Sequence, residues 1–136
     1  MIKIKINETD KEAFNKNYKD AKAFHNRAEQ FLSEGQYPSV VFNVASISLE
    51  RYLIALGNLY GVEAENHNYG SLMDSVEIVI DFPEDLNKKI RALDVMYDIC
   101  SVDNPCSKTP DLSDLHQILA ICSKVDKMIH EINDYH

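Results

Sequence analysis

The spacing of apolar residues predicts helices along most of the chain. Beyond residue 8, apolar side chains recur at intervals of three and four, which is the period of one face of an α-helix. Thr9-Asp10-Lys11-Glu12 has the form of a capping box and marks a helix start, and Gly35 marks the end of that helix. The buried face of this first helix is predicted to contain Phe14, Tyr18, Ala21, His25, Ala28 and Leu32.

The second predicted helix begins at Pro38, runs through Tyr60 and is apolar on almost all sides. A helix of this kind is expected to be buried all round, at the centre of the domain or against a second chain. One polar line interrupts it, and we expect this line either to reach water or to line a binding groove. The line consists of Ser39, Asn43, Ser46 and Glu50.

Three further helices are predicted in the second half of the chain. A short one spans Ser71 to Ile80, after a polar loop of residues 61–70. Asp81-Phe82-Pro83-Glu84-Asp85 then combines the Pro and the acids that favour a first helical turn. The last two helices flank a loop of residues 102–110. Their buried stripes are Leu86, Ile90, Leu93, Tyr97 and Cys100 in one, and Leu115, Ile118, Cys122, Val125, Ile129 and Ile132 in the other.

These elements predict an all-α fold, an up-and-down antiparallel bundle of four or five helices. Four Gly and four Pro in 136 residues are too few for the many turns of a β-sandwich, and residues 1–136 are predicted to form one domain. Residues 1–8 are a possible N-terminal arm, because Ile2, Ile4 and Ile6 alternate with Lys in a strand pattern. This arm is expected either to pair with a second chain or to fray.

The charge balance narrows the classes of partner. Fourteen Lys and Arg against 22 Asp and Glu give a net charge of −8, which argues against bulk nucleic-acid binding. Residues 1–27 carry a balance of +3 (seven minus four) and the remainder −11 (seven minus 18), so the basic end either meets an acidic partner or keeps its helix soluble. With three cysteines, no signal-peptide pattern and no continuous apolar run of about 18 residues, a cytoplasmic protein without membrane contact is expected.

Four short segments carry a family resemblance. They are Phe31-Leu32-Ser33-Glu34-Gly35-Gln36-Tyr37, then Ala45, Leu49, Glu50 and Ala55-Leu56 on the second helix, His67 before Leu72, and Leu93-Asp94-Val95-Met96-Tyr97. Together they make the segment from Ala28 to about Cys100 similar to a HEPN domain, a nucleotide-binding or RNA-cleaving helical module. The resemblance implies a bundle of four or five helices, commonly homodimeric and often encoded beside a small nucleotidyltransferase, as in toxin–antitoxin pairs.

The chain departs from the motif of the active family members. Those resemble metal-independent RNases, with an Arg and then a His four to six residues later, near the end of the helix corresponding to residues 84–101. Here Ser101 stands at the expected Arg position, and the next His is His116. Without that Arg, no cation at this position stabilises the phosphate transition state, and without that His, no imidazole transfers the proton. We therefore predict no catalytic residues.

Seven residues remain as candidates for ligand binding. Asn43 and Glu50 share the polar line of the second helix, and Arg51 adjoins them. Asp94, Tyr97 and Asp98 share a face of the fourth helix and could form a polar cluster with His67. Either group could instead be structural, as a water-facing strip or a satisfied hydrogen-bond network.

No metal and no cofactor are predicted. Cys100, Cys106, His116 and Cys122 lack the paired spacing of zinc ligands, and four Gly are too few for a phosphate-binding loop. The leading hypothesis is a non-catalytic HEPN-like module that binds a nucleotide or a partner protein such as a nucleotidyltransferase. The alternatives are an RNase that uses His67 or His116, and a purely structural dimerisation domain. We expect a homodimer, because the second helix has more apolar surface than one small bundle covers.

Overall fold

The computed structural model of the protein describes residues 8–62, 68–99 and 110–133, with the backbone alone for residues 8, 9 and 95–99. The described residues form helices and contain no strand, so the prediction of an all-α protein is confirmed for this part of the chain. The helices are α1 (Glu8–Ser33), α2 (Pro38–Asn58), α3 (Tyr69–Val76), α4 (Glu84–Ile99) and α5 (Leu112–Asn133). Residues 1–7, His67, Cys100 and Cys106 lie outside the described residues.

The second helix, α2, is the centre of the packing. It contacts α1 along its length, α5 on a second side and α3 on a third, while α4 packs mainly against α3. Among the described helices, α2 is also the one long and apolar enough to cross a membrane. That is weak evidence for a membrane, because most of α2 is buried against its neighbours and core helices of soluble proteins meet the same criterion.

Two glycines end the first two helices in the same way. Gly35 and Gly61 have φ angles of +73° and +69°, a left-handed conformation that costs glycine little. After α1, the Gln36 N–H donates to the Phe31 carbonyl at 3.0 Å, and after α2 the Val62 N–H donates to the Gly57 carbonyl at 2.9 Å. These are the crossing bonds of a Schellman motif. The predicted role of Gly35 is confirmed.

The helix boundaries differ from the predicted ones by a few residues. Helix α1 begins at Glu8, one residue before the predicted cap at Thr9, and α2 ends at Asn58 rather than Tyr60. The short helix is displaced: it covers Tyr69–Val76 instead of Ser71 to Ile80. The reason is Asn68, whose side-chain oxygen accepts the Ser71 N–H at 2.8 Å and caps the helix earlier than predicted.

The second helix is not covered on all sides within the described part of the single chain, so the predicted burial of its remaining side against a second chain stays a prediction. Val40 and Ile47 are 37% and 39% exposed, on the side of α2 that faces away from α1, α3 and α5. The polar line reaches water at Ser39 and Asn43 and in part at Glu50, but Ser46 is buried. Helix α3 covers that position, and the Tyr69 hydroxyl donates to the Ser46 carbonyl at 2.8 Å.

A buried polar pair joins α1 to α2. His25 lies on the predicted buried face of α1, and its Nδ1 shares a hydrogen bond of 2.9 Å with the Tyr52 hydroxyl. Both side chains are buried, and the neighbouring Ser48 hydroxyl donates to the Ala21 carbonyl at 2.7 Å. The other imidazole nitrogen, Nε2, is buried and makes no hydrogen bond to a described residue, although a Glu29 carboxylate oxygen lies 3.4 Å away. Hydrogen bonds of His25 Nδ1 and Ser48 thus join α1 to α2 beside the apolar contacts.

Tyr52→Phe is expected to lower the free energy of unfolding by about 1–3 kcal/mol, because the His25 Nδ1 keeps its burial and loses its partner. Urea unfolding followed by circular dichroism measures the change. The matched control is Tyr37→Phe, which removes the same hydroxyl from a side chain that is 77% exposed. Equal stabilities for Tyr52→Phe and Tyr37→Phe would contradict the structural role of the pair.

The same core holds groups that resist deprotonation. Burial raises the pKa of the Cys122 thiol from its ordinary value of 9.0 to about 12, and its Sγ lies 3.5 Å from the Ala45 carbonyl. Burial also raises the pKa of the Tyr52 and Tyr18 hydroxyls. For Tyr18, the hydrogen bond that its hydroxyl donates to Asp126 raises the pKa further. Above pH 9 the unfolded chain therefore binds fewer protons than the folded chain, and stability falls as pH rises.

The free energy of unfolding is expected to fall as the pH rises from about 9 to 12. Each such group contributes a slope of at most roughly 1.4 kcal/mol per pH unit. Cys122→Ala removes the group that titrates first in the unfolded chain, so its slope between pH 9 and 10 should be smaller than that of the wild type. Urea titrations at stepped pH compare the slopes, and identical slopes would contradict the assignment.

Candidate functional site

Asp94, one of the predicted ligand-binding residues, caps α3 from the neighbouring helix. Its two carboxylate oxygens accept the backbone N–H groups of Tyr69 and Gly70 at 2.8 and 2.6 Å. A carboxylate is favoured there because the first N–H groups of a helix have no partner within it. Gly70 fits this contact, since a Cβ at that position would lie 3.0 Å from a carboxylate oxygen of Asp94. Asp94 is therefore a structural residue that holds α3 on α4.

Arg91 makes the second connection between α3 and α4, and the sequence analysis gave it no role. Its guanidinium lies 2.8 Å from a carboxylate oxygen of Asp74 and 3.1 Å from one of Glu77, and its Nε donates to Asn87 at 2.6 Å. Hydrogen bonding to Asp74 raises the pKa of Arg91 further above its ordinary value. In the sequence, the three-residue spacing of Asp74 and Glu77 could have indicated a binding site for a cationic side chain. That spacing does not indicate which helix supplies the cation.

The candidate residues of α2 lie at the edge of its uncovered side. Asn43 is exposed, whereas Glu50 and Arg51 are half-buried. The Arg51 guanidinium donates to the side-chain oxygen of Asn17 at 3.4 Å, and Asn17 donates to the side chain of Asn58 at 2.9 Å. Arg51 is thereby directed along the border between α1 and α2.

The structure describes the two predicted groups of candidate residues only in part. Tyr69 lies between the two groups, because Asp94 binds its N–H and its hydroxyl reaches the Ser46 carbonyl on α2. Asp94 uses both oxygens on α3, so its described contacts do not include the polar line of α2. Tyr97 and Asp98 lie on the backbone of α4 with their side chains outside the described residues, and His67 lies outside them altogether.

The uncovered side of α2 carries a continuous row of apolar side chains, which we call the outer strip. Its residues are spaced by three and four, with Arg51 at one position of the series. The row is Tyr37, the residue just before α2, followed by Val40, Val44, Ile47 and Ile54. This is the a and d spacing of a coiled-coil seam. Tyr37, Val40 and Ile47 are exposed, and Val44 and Ile54 are partly buried against the core. The helical spacing of Val40, Val44, Ile47 and Ile54 puts them on one side of α2, and no other part of the described chain covers Val40 and Ile47 fully.

A shallow groove lies between the C-terminal half of α1 and the N-terminal half of α5. It encloses roughly 390 Å³ and contains His116, the candidate base of the RNase hypothesis. Its other polar residues are Glu29, Ser33 and Ser123. The lining residues of this groove include no Lys or Arg, so a phosphate bound there would have no cation among them.

A second polar cluster joins the other ends of α1 and α5, and sequence reasoning did not find it. The Tyr18 hydroxyl donates to Asp126 at 2.6 Å and lies 2.8 Å from the His130 Nε2. Asp126 and His130 are four residues apart on α5, but nothing in the sequence joins them to Tyr18. Within the described ranges, no group of three His, Cys, Asp or Glu is placed to hold a metal ion.

Comparison with known proteins adds no family to this description. No protein-family model, no curated protein and no solved structure matches the chain. The function has therefore to follow from the contacts and exposed surfaces described above.

Asp94→Ala is expected to lower the free energy of unfolding by about 1–2 kcal/mol, because two helix-terminal N–H groups lose their acceptor. Hydrogen exchange at the N–H groups of Tyr69 and Gly70 should accelerate more than exchange in α1 or α2. The control is Asp85→Ala, which removes an exposed carboxylate paired with Lys89 on α4 and should cost less than about 0.5 kcal/mol. Unchanged exchange in α3 would contradict the capping role.

Proposed function

We propose that this protein is a non-catalytic, HEPN-like helical module, an up-and-down antiparallel bundle of the cytoplasm, that binds a partner protein through the outer strip of α2. The observation that carries the proposal is the exposure of Val40 and Ile47 on the helix that forms the centre of the packing. A second copy of the chain and a different protein, such as a nucleotidyltransferase, both belong to this class of partner.

The form of the outer strip supports a protein partner. From Tyr37 to Ile54 it extends for about 25 Å along one helix, because each residue adds about 1.5 Å. Asn43, Glu50 and Arg51 border it with polar groups. An apolar row with a polar border is the usual composition of a protein interface, and its burial would contribute about 25 cal/mol for each Å² removed from water.

Nucleotide binding by the predicted residues has less support. Small-molecule sites are concave and enclose most of their ligand, whereas Asn43 is exposed on the outside of α2. Asp94, the carboxylate expected to join such a site, accepts two N–H groups of α3 through its two oxygens. The groove between α1 and α5 contains none of the seven predicted residues.

RNA cleavage at His116 has less support as well. The imidazole shares its groove with the Glu29 carboxylate, and a general acid and base could be drawn from this pair. Cleavage also requires stabilisation of the negative charge on the phosphorus centre, which enzymes provide with cations or preorganised donors. The groove's lining residues include no Lys or Arg, so no cation among them supplies that stabilisation.

A photo-crosslinking residue at position 47 tests the proposal directly. We expect irradiation of cells expressing the full chain with p-benzoylphenylalanine in place of Ile47 to give an adduct with a protein, identified by mass spectrometry. The matched control carries the same residue in place of Ile78, which is 82% exposed outside the outer strip, and should give no such adduct. The absence of any protein adduct at position 47 would overturn the proposal.

Two further results would replace the proposed function. One is a rise in melting temperature with ATP, AMP or GTP that Asn43→Ala or Glu50→Gln abolishes, since a ligand at 100 times its Kd adds about 2.7 kcal/mol. The other is metal-independent cleavage of tRNA or mRNA that stops in His116→Ala or His67→Ala. We expect neither a shift nor cleavage.

A further inference from the structure

We infer that the partner on the outer strip is a second copy of this chain, whose own α2 lies antiparallel to the first across a two-fold axis. The inference rests on the proposed function and names the partner. A two-fold interface uses the same patch on both copies, so the patch must complement itself in charge and in shape. The outer strip meets both conditions.

The charge of α2 permits the approach of a second copy. The whole chain carries −8, so two copies repel each other over most of their surfaces. Residues 37–58 contain one acid and one base, Glu50 and Arg51, and therefore have no net charge. Like-charge contact is costly at an interface, and this segment avoids it.

The spacing of the strip selects an antiparallel arrangement. With parallel helices, each residue would face its own copy, and Arg51 would lie against Arg51 of the partner subunit. With antiparallel helices, the a and d positions face each other in layers. In the register that we infer, Tyr37 packs against Ile54 of the partner subunit, Val40 against Arg51 of the partner subunit, and Val44 against Ile47 of the partner subunit. The two residue numbers of each such layer sum to 91.

This register matches every apolar member of the strip. Moving one helix by a heptad in one direction would leave Tyr37 without a layer and would set Val40 against Asn58 of the partner subunit. Moving it in the other direction would leave Ile54 without a layer. In the chosen register, the aliphatic stem of Arg51 covers a Val while its guanidinium remains at the edge, where long cationic side chains reach water. The two-fold axis then passes between residues 45 and 46.

The register also gives a role to two candidate residues of the polar line. Asn43 and Glu50 of the partner subunit border the seam on the same side, with an offset along the helix axis of about 3 Å. The amide of Asn43 can donate to the carboxylate of the partner's Glu50, and the two-fold axis repeats the pair. The polar line is then the border of an interface rather than a nucleotide site.

Light scattering after size-exclusion chromatography tests the assembly. The wild type is expected to have twice the monomer mass of 15.5 kDa, and Ile47→Glu to have the monomer mass with an unchanged helical circular dichroism spectrum. Ile78→Glu, the same change at an exposed Ile outside the strip, should remain a dimer. Asn43→Lys should tighten dimerisation a few-fold through the partner's Glu50, and Asn43→Asp should weaken it a few-fold.

Disulfide trapping tests the register. In a Cys100→Ser, Cys106→Ser background that retains the buried Cys122, Tyr37→Cys mixed with Ile54→Cys should form a crosslinked dimer under mild oxidation. Each of these variants alone should not, because two copies of residue 37 lie about 25 Å apart along antiparallel helices. In a parallel dimer the single variants would crosslink and the mixture would add nothing.

The outcomes separate the inference from the proposed function. If the protein is a monomer at all concentrations and position 47 gives an adduct with a different protein, the inferred homodimer is wrong and the proposed function stands. No protein adduct at position 47 would overturn both. A dimer that Ile47→Glu leaves intact, or that crosslinks through Tyr37→Cys alone, would overturn the antiparallel seam.

Discussion

The packing of α1, α5 and α3 around α2 is the constraint on which the rest of the structure depends. Helix α2 supplies much of the described core, and three sides of it are covered by those helices. Buried polar groups also join it to α1, as between His25 Nδ1 and the Tyr52 hydroxyl, because a polar group without a partner is costly in such surroundings. The fourth side is left to the outer strip, which is why the central helix of the fold is also its candidate binding surface.

The attachment of α3 and α4 follows a different principle. Here polar contacts hold two helices together: Asp94 binds the first N–H groups of α3, and Arg91 pairs with Asp74 and Glu77. Of these residues, the sequence made Asp94 a candidate for ligand binding, because Asp94, Tyr97 and Asp98 share one helical face. The described partners of Asp94 belong to the chain itself. The outer strip is therefore a better candidate binding surface than this end of the molecule.

Most of the helices could be predicted because their signals are local. Apolar periodicity, the Gly at the end of α1 and the Pro at the start of α2 are readable within a dozen residues, and they located all five helices to within a few residues. Asn68 shows the limit of this reading: its side chain starts α3 two residues earlier than Ser71, and many Asn residues in loops cap nothing. The candidate site was predicted less well, because a side chain's partner can lie anywhere along the chain.

The amino-acid sequence by itself determined that this is an all-α protein with an unusually apolar second helix, because helical period and composition are properties of neighbouring residues. Only the tertiary structure decided which sides of that helix are covered. The contact of α3 with α2 at Tyr69 helps to bury Ser46, and the placement of α1 and α5 leaves Val40 and Ile47 exposed. The reason is that exposure depends on which distant segments pack together, and the period of a single helix carries no information about its neighbours.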